Sequence, residues 1–205
     1  LQVLDSGISW PHSSLLERIL PPNTPTRFSS TSKRFYMLTG HHLIAGREAA
    51  PDHAPFQALN PTTNQKLEPF FGEADAELAD EALQAADGAF DSLRTSSVET
   101  RATFLDYLGE EIMALGEALL ERAHQETALP MARLIGERGR AIGQCKLFAG
   151  LLREGSWAQA SIDRAMPERV PAPKPDVRRI LQPVGPVVVF GASNFPFAIG
   201  VVGTD

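Results

Sequence analysis

Apolar residues recur every three or four positions over the middle of the chain, and this spacing predicts three helices. The first follows Asp75, which is a suitable N-cap, and its apolar face comprises Leu78, Ala82, Ala85, Ala86, Ala89 and Phe90. The second is a single helical pattern within 98–127, whose apolar positions are Phe104, Leu105, Leu108, Ile112, Leu115, Leu119 and Ala123.

A third helix is predicted from Pro130 to about Arg153. Proline is tolerated at a helix start, and Gly155 is the residue type expected just after a helix end. The buried stripe of this helix is predicted to consist of Leu134, Ile135, Ile142, Cys145, Phe148, Ala149 and Leu152.

Short strands and turns are predicted on both sides of the helices. Over 38–71, glycines at 40 and 46 bracket an apolar stretch, and Asn60 begins a turn signal. Prolines at 167, 171, 173 and 175 exclude a helix over 156–175, which is predicted to be an extended arm with edge-strand character. Strands follow at 177–182 and 187–190, the second as a buried strand that leads into a turn and a helix start.

The first 36 residues differ in composition from the rest. They contain several prolines, many Ser and Thr residues and an excess of positive charge, and they bury too little to offset their ordering entropy. Two interpretations stay open, an organellar transit peptide and upstream sequence carried into the reading frame. In either case residues 1–36 are treated as a disordered or non-native leader.

Composition restricts the classes of function. The 205 residues carry a formal net charge of −6, which argues against a nucleic-acid partner. One cysteine excludes an intrachain disulfide and favours a reducing compartment, and no apolar run reaches the roughly 20 residues of a membrane span. A cytoplasmic protein is therefore expected.

Most candidate chemical groups have a plain structural interpretation. Cys145 lies on the apolar stripe of the third helix and is expected to pack in the core rather than act as a nucleophile. The five histidines lack metal-ligand spacing and are expected on the surface, so no metal site is predicted. A basic cluster on the third helix is expected to form ion pairs with the interleaved Glu137; its members are Arg133, Arg138, Arg140 and Lys146.

The segment FGASNFP, residues 190–196, is the main candidate site. Asn194 suits the N-cap of a following helix, with Pro196 in the first turn. Ligands in α/β folds bind beyond the carboxyl ends of strands, where this turn is expected, and the Asn194 amide could donate to a developing oxyanion. The segment is not a G-x-G-x-x-G fingerprint, and the residues alone leave the cap and the ligand turn equally open.

The chain resembles the aldehyde dehydrogenase superfamily from about Met37 to its last residue. The resemblance is carried by LTGHHLIAG, ALNPTTNQKLEPFF, ARLIGERGRAIGQCKLFAGLLREGSW, PKPDVRR and PVGPVVVFGASNFPFAIGVVG. The superfamily at large has Pro-Trp-Asn-Phe-Pro where this chain has Ala192-Ser193-Asn194-Phe195-Pro196. The Ala-Ser variant resembles the branch of NADP-dependent 2-oxoglutarate semialdehyde (2,5-dioxopentanoate) dehydrogenases.

The resemblance implies a fold, a reaction and site residues. The implied fold is α/β, with 37–205 as the N-terminal part of an NAD(P)-binding domain whose Rossmann-like parallel sheet is truncated, and with 156–182 as an oligomerisation arm. The implied reaction oxidises an aldehyde to a carboxylate with NADP, or NAD, in a homo-oligomer. Asn194 takes the oxyanion role, and the backbone positions that line the cofactor are Phe190, Gly191, Ala192 and Ser193.

The departures from the family pattern concern the catalytic residues. The nucleophilic cysteine, the glutamate base, the ribose-contacting lysine and the glycine-rich turn lie downstream in relatives, and Cys145 does not match the nucleophile. Val202-Gly203-Thr204-Asp205 stands where relatives read Ala-Gly-Gly-Asp. This polypeptide is therefore expected to be an inactive fragment of an enzyme, and the alternative is a standalone helical interaction module without enzymatic activity.

Overall fold

The computed structural model describes residues 38–50 and 53–200. The expected leader at 1–36 and the last five residues lie outside this described part. Two antiparallel hairpins come first, β1 (His42–Ile44) with β2 (Arg47–Ala49) and β3 (Phe56–Leu59) with β4 (Lys66–Phe71). Four helices follow, and a third antiparallel pair joins β5 (Ser161–Asp163) to β6 (Val177–Arg179).

The strands form where the turn residues predict them. Ala45 and Gly46 both have positive φ, +51° and +75°, so the connection between β1 and β2 is a two-residue hairpin of the kind that matches strand twist. The β3–β4 ladder pairs Phe56 with Phe71 and contains a bulge between Gln57 and Ala58. The predicted strand-and-turn region before the helices is confirmed.

The helices begin and end at residues that satisfy free backbone groups. Helix α1 (Ala76–Thr95) begins at Asp75, whose carboxylate accepts a hydrogen bond of 2.8 Å from the Leu78 N–H, as the sequence predicted. Helix α2 (Val98–Ala114) begins in the same way at Ser97, whose hydroxyl accepts from the Thr100 N–H at 3.0 Å. No residue of α1 is buried, so its predicted apolar face is only partly covered.

The helical pattern predicted over 98–127 is wrong in one respect, because it contains two helices. Helix α2 ends at Ala114, and α3 (Gly116–Thr127) follows after Leu115. Gly116 has a φ of +62°, which an α-helix interior does not contain and which glycine adopts at little steric cost. Arg138 donates a hydrogen bond of 2.7 Å to the Gly116 carbonyl and stabilises this break.

Helix α4 (Met131–Glu154) is the central element of the core. It begins after Pro130 and ends at Gly155, whose φ is +85°, as predicted. It packs along α2, where Gly109 lies so close that a Cβ there would be 3.4 Å from the Ile142 methyl. The buried residues of α4 are Leu134, Glu137, Ala141, Ile142, Cys145 and Ala149.

The predicted stripe of α4 is therefore partly wrong. Ile135 and Phe148 are 49% and 40% exposed, and Glu137 and Ala141 are buried instead. The contact with α2 is made largely by small residues, which let the helices approach closely and cover only a narrow strip of α4. Apolar residues next to that strip are left outside the contact.

The extended arm after α4 is confirmed apart from a short 3₁₀ turn at Ser156–Ala158. The strand predicted at 177–182 is limited to Val177–Arg179, and the strand predicted at 187–190 is not formed. The arm contains the β5–β6 pair and one further bridge between Met166 and Lys174. Val187 and Phe190 are 73% and 86% exposed, and no other described strand pairs with their segment. A buried strand needs a ladder partner and a covering layer, and the described residues supply neither. None of the described helices is long and apolar enough to cross a membrane.

Candidate functional site

The segment 190–200 forms a succession of turns against the helices. The Phe195 N–H donates to the Ala192 carbonyl at 3.1 Å, which closes the turn around Ser193 and Asn194. Turns continue to residue 200, so the predicted helix with an Asn194 cap is not seen within the described part of the chain. Asn194 is exposed at the first of these turns.

Phe197 fixes the turn to the helical core. It is 8% exposed and packs in a cluster with Leu120 and Ala123 of α3 and Leu134 of α4. Burial of a phenylalanine side chain contributes roughly 1.5–3 kcal/mol relative to an exposed one. The backbone at Asn194, three residues earlier, is therefore tied to a rigid support.

Two charged residues of α4 also hold the turn. The Arg133 Nη2 donates to the Asn194 carbonyl, and its guanidinium lies 4.9 Å from the centroid of the Phe195 ring. The Arg133 Nε donates to the Glu137 Oε1 at 3.0 Å, and the Phe197 N–H donates to the Glu137 Oε2 at 3.5 Å. Glu137 is 6% exposed and is the only charged residue among the buried described residues.

The predicted site residues lie together and are accessible. Phe190, Gly191, Ser193 and Asn194 are exposed, and Ala192 is half-buried. Sequence reasoning assigned the basic cluster of α4 to ion pairing, and Arg133 does pair with Glu137. The contact of this same pair with the turn was not predicted. The only related signal in the sequence is the four-residue spacing between Arg133 and Glu137.

Cys145 is a core residue, as predicted. Its side chain is fully buried on α4, and burial raises the pKa of its thiol. A thiol in this position is neutral and closed to solvent, so it lacks both properties of a nucleophile.

We expect Cys145 to resist alkylation in the folded protein and to react only when the core opens. Iodoacetamide labelling at pH 8, followed by mass spectrometry, is expected to be at least about 100-fold slower without urea than in 8 M urea, because the folded thiol is buried and protonated. Free glutathione in the same mixtures controls for the effect of urea on the reagent. Equal labelling rates of Cys145 with and without urea would contradict the core position.

Three of the four histidines in the described residues have a polar partner, and two of these three are exposed as predicted; His12 lies outside the described residues. His41 lies 2.7 Å from Glu48, His53 lies 3.0 Å from Asp75, and the His124 ring bonds the Leu129 carbonyl. His42 is half-buried beside a cleft of about 230 Å³ between β1 and α1, which corrects its predicted surface position. Among the residues that the structure describes, no group of His, Cys, Asp and Glu could hold a metal ion.

Comparison with known proteins places these features in one family. A model of the aldehyde dehydrogenase family matches residues 48–204. Alpha-ketoglutaric semialdehyde dehydrogenase 2 of Azospirillum brasilense is 47% identical over 169 residues, which are 82% of this chain and 32% of that protein. The alpha-ketoglutaric semialdehyde dehydrogenase of Acinetobacter baylyi is 44% identical over 166 residues, 81% of this chain and 32% of that protein.

Solved structures show the same fold. Succinate-semialdehyde dehydrogenase of Burkholderia pseudomallei superposes with a TM-score of 0.57 at 24% identity, over 66% of this chain and 27% of that chain. An NAD-dependent benzaldehyde dehydrogenase of Corynebacterium glutamicum superposes with a TM-score of 0.58 at 16% identity, over 64% of this chain and 28% of that chain. The helices and short sheets are thus part of the aldehyde dehydrogenase fold. The chain belongs to the aldehyde dehydrogenase family and spans about a third of the length of the curated relatives it matches.

Proposed function

We propose that residues 37–205 are the N-terminal part of an NAD(P)-dependent aldehyde dehydrogenase that oxidises a semialdehyde to the carboxylate. The Azospirillum brasilense and Acinetobacter baylyi relatives are both named alpha-ketoglutaric semialdehyde dehydrogenases, which supports 2-oxoglutarate semialdehyde as the substrate. The observation that carries the proposal is that Asn194 is exposed on a fixed turn. The turn is held by the bond from Arg133 to the Asn194 carbonyl and by the burial of Phe197.

In the proposed reaction Asn194 stabilises negative charge. A cysteine thiolate of the complete enzyme attacks the aldehyde carbon, and the carbonyl oxygen becomes an oxyanion. The Asn194 amide N–H donates to that oxygen, and a fixed donor is worth most where charge develops. Because the Asn194 backbone is held by Arg133, its side chain can meet the substrate without ordering the turn first.

The segment 190–193 is the proposed cofactor contact. Its residues are exposed, apart from the half-buried Ala192, and a Cβ added at Gly191 would meet no atom within 4 Å. The backbone is therefore open to close approach by a dinucleotide, and the proposed cofactor is NADP, with NAD as the alternative. When bound, the cofactor supplies the hydride acceptor of the oxidation.

The 205-residue polypeptide alone is proposed to be inactive. Its one cysteine is Cys145, which is buried and cannot reach an aldehyde. The complete protein is proposed to be a cytoplasmic homo-oligomer. Its arm at 156–182 carries exposed apolar side chains, including Ile162 and Val177, that a second subunit would cover.

The test of this proposal is aldehyde-dependent reduction of the cofactor, followed at 340 nm. We expect the full-length protein that contains these residues to oxidise 2-oxoglutarate semialdehyde with NADP or NAD, and the 205-residue polypeptide to show no turnover because it has no accessible thiol. Succinate semialdehyde and benzaldehyde, assayed in parallel, define the preferred aldehyde. A full-length protein that oxidises none of these with either cofactor would contradict the function and favour the helical interaction module.

A further inference from the structure

We propose that Arg133 and Glu137, here called the Arg133–Glu137 clamp, are positioning residues that aim the Asn194 amide at the oxyanion. The inference rests on the proposed function, because it assigns a catalytic effect to the contact between α4 and the 190–200 turn. Neither residue touches the reacting atoms; both act through the backbone of the turn.

The Arg133 guanidinium makes three contacts in the clamp. The Arg133 Nε donates to Glu137, its Nη2 donates to the Asn194 carbonyl, and its face lies over the Phe195 ring. Only a planar group with several fixed donors can make these contacts together. The three contacts fix the peptide that follows Asn194 in position and in rotation.

Glu137 completes the clamp from the buried side. One of its carboxylate oxygens accepts from Arg133, and the other accepts from the Phe197 N–H. Burying a carboxylate costs free energy unless the charge is paired and hydrogen-bonded, and here both oxygens have donors. The clamp therefore holds the turn on both sides of Phe195 and Pro196, through Arg133 at the Asn194 carbonyl and through Glu137 at the Phe197 N–H.

Two conservative variants loosen the clamp without emptying the core. In Arg133→Lys the charge stays, but one ammonium cannot reach Glu137 and the Asn194 carbonyl in the same geometry or stack on Phe195. In Glu137→Gln the shape stays, but the amide NH₂ faces a donor, either Arg133 or the Phe197 N–H. Arg138→Lys is the matched control, because Arg138 lies on the same helix and donates to Gly116, away from the turn.

The first measurement is hydrogen exchange in the full-length protein that contains these residues, followed on peptides covering 190–200. We expect Arg133→Lys and Glu137→Gln to speed exchange of the Phe195 and Phe197 amides about 10-fold, because these amides are bonded within the held turn. Arg138→Lys is expected to leave this peptide unchanged. Unaltered exchange in both clamp variants would overturn the clamp.

The second measurement is the kinetic effect and its dependence on Asn194. A misplaced group can cost up to about 100-fold in rate, so we expect kcat to fall about 10- to 100-fold in Arg133→Lys, with the KM for NADP unchanged. In an Asn194→Ala background the same substitution is expected to cost less than about 2-fold, since no amide remains to be aimed. A merely structural residue would lower activity equally in both backgrounds, and that result would overturn the positioning role.

The outcomes separate this inference from the proposed function. If the wild-type full-length protein oxidises no aldehyde, the proposed function fails and the catalytic consequence of the clamp fails with it. Hydrogen exchange then still decides whether Arg133 and Glu137 hold the turn. If the wild type is active but Arg133→Lys keeps its kcat, the proposed function stands and the positioning role is overturned.

Discussion

Asn194→Ala is expected to lower kcat of the proposed full-length enzyme about 100- to 1000-fold, the usual cost of removing one donor to an oxyanion, which is the role proposed for Asn194. The Asn194 side chain is exposed, so its loss removes no core contact. Its carbonyl bond to Arg133 belongs to the backbone and survives the substitution. The free energy of unfolding is therefore expected to stay within about 0.5 kcal/mol of the wild-type value, which is the range of ordinary surface substitutions.

Two further variants make the Asn194 experiment specific. Asn194→Asp keeps the shape but removes the N–H donor and adds negative charge beside the oxyanion, so its kcat is expected to be no higher than that of Asn194→Ala. Gln125→Ala removes an exposed amide side chain on α3, outside the segment 190–194, and is expected to keep kcat within about 2-fold, as at other surface positions. Initial rates at saturating aldehyde and NADP measure all three. Wild-type kcat in Asn194→Ala would remove Asn194 from the reaction.

The local elements could be predicted because their signals are local. Asp75 caps α1 through an atom three residues away, and Gly155 ends α4 through its own φ. The break at Gly116 was missed because the apolar spacing continues across it and glycine is tolerated inside helices. The structure shows that the chain turns there by the positive φ of Gly116 and by the bond from Arg138 to its carbonyl.

The site could be predicted in part. The small residues beside Asn194 indicated a turn that a ligand can approach, and the structure exposes that turn. The contact with Arg133 spans 61 residues, and no local pattern predicts it. Burial of Glu137 runs against the usual exposure of glutamate, and the sequence predicted its ion pairing with the basic cluster but not its burial.

The strand at 187–190 was wrongly predicted because its formation also depends on contacts with residues distant in the sequence. A short apolar run bounded by turn residues indicates a buried strand, but burial depends on partners elsewhere in the fold. Apolar residues in this run and just before it are exposed, including Val184, Val187 and Val188. In the proposed complete enzyme these residues would be covered by the remainder of the cofactor domain. This explains why a segment that is exposed here has the sequence pattern of a buried strand.

Gly40→Ala is expected to destabilise the protein far more than any exposed glycine substitution. Gly40 is buried with a φ of +76°, and a Cβ there would lie 1.9 Å from the Phe70 carbonyl oxygen of β4. That neighbour is backbone, so it cannot rotate away. Left-handed strain of about 1–2 kcal/mol adds to an overpacking cost of about 1–3 kcal/mol, so the expected loss is about 2–5 kcal/mol.

Gly46→Ala separates the two causes of that loss. Gly46 has nearly the same φ, +75°, but a Cβ there would meet no atom within 4 Å. It therefore carries the conformational strain alone, and its expected cost is about 1–2 kcal/mol. Urea unfolding followed by circular dichroism gives both losses from the shift in midpoint at constant slope. The close contact with the β4 backbone distinguishes Gly40 from Gly46. Equal losses in the two variants would therefore contradict the close packing of Gly40 against the Phe70 carbonyl.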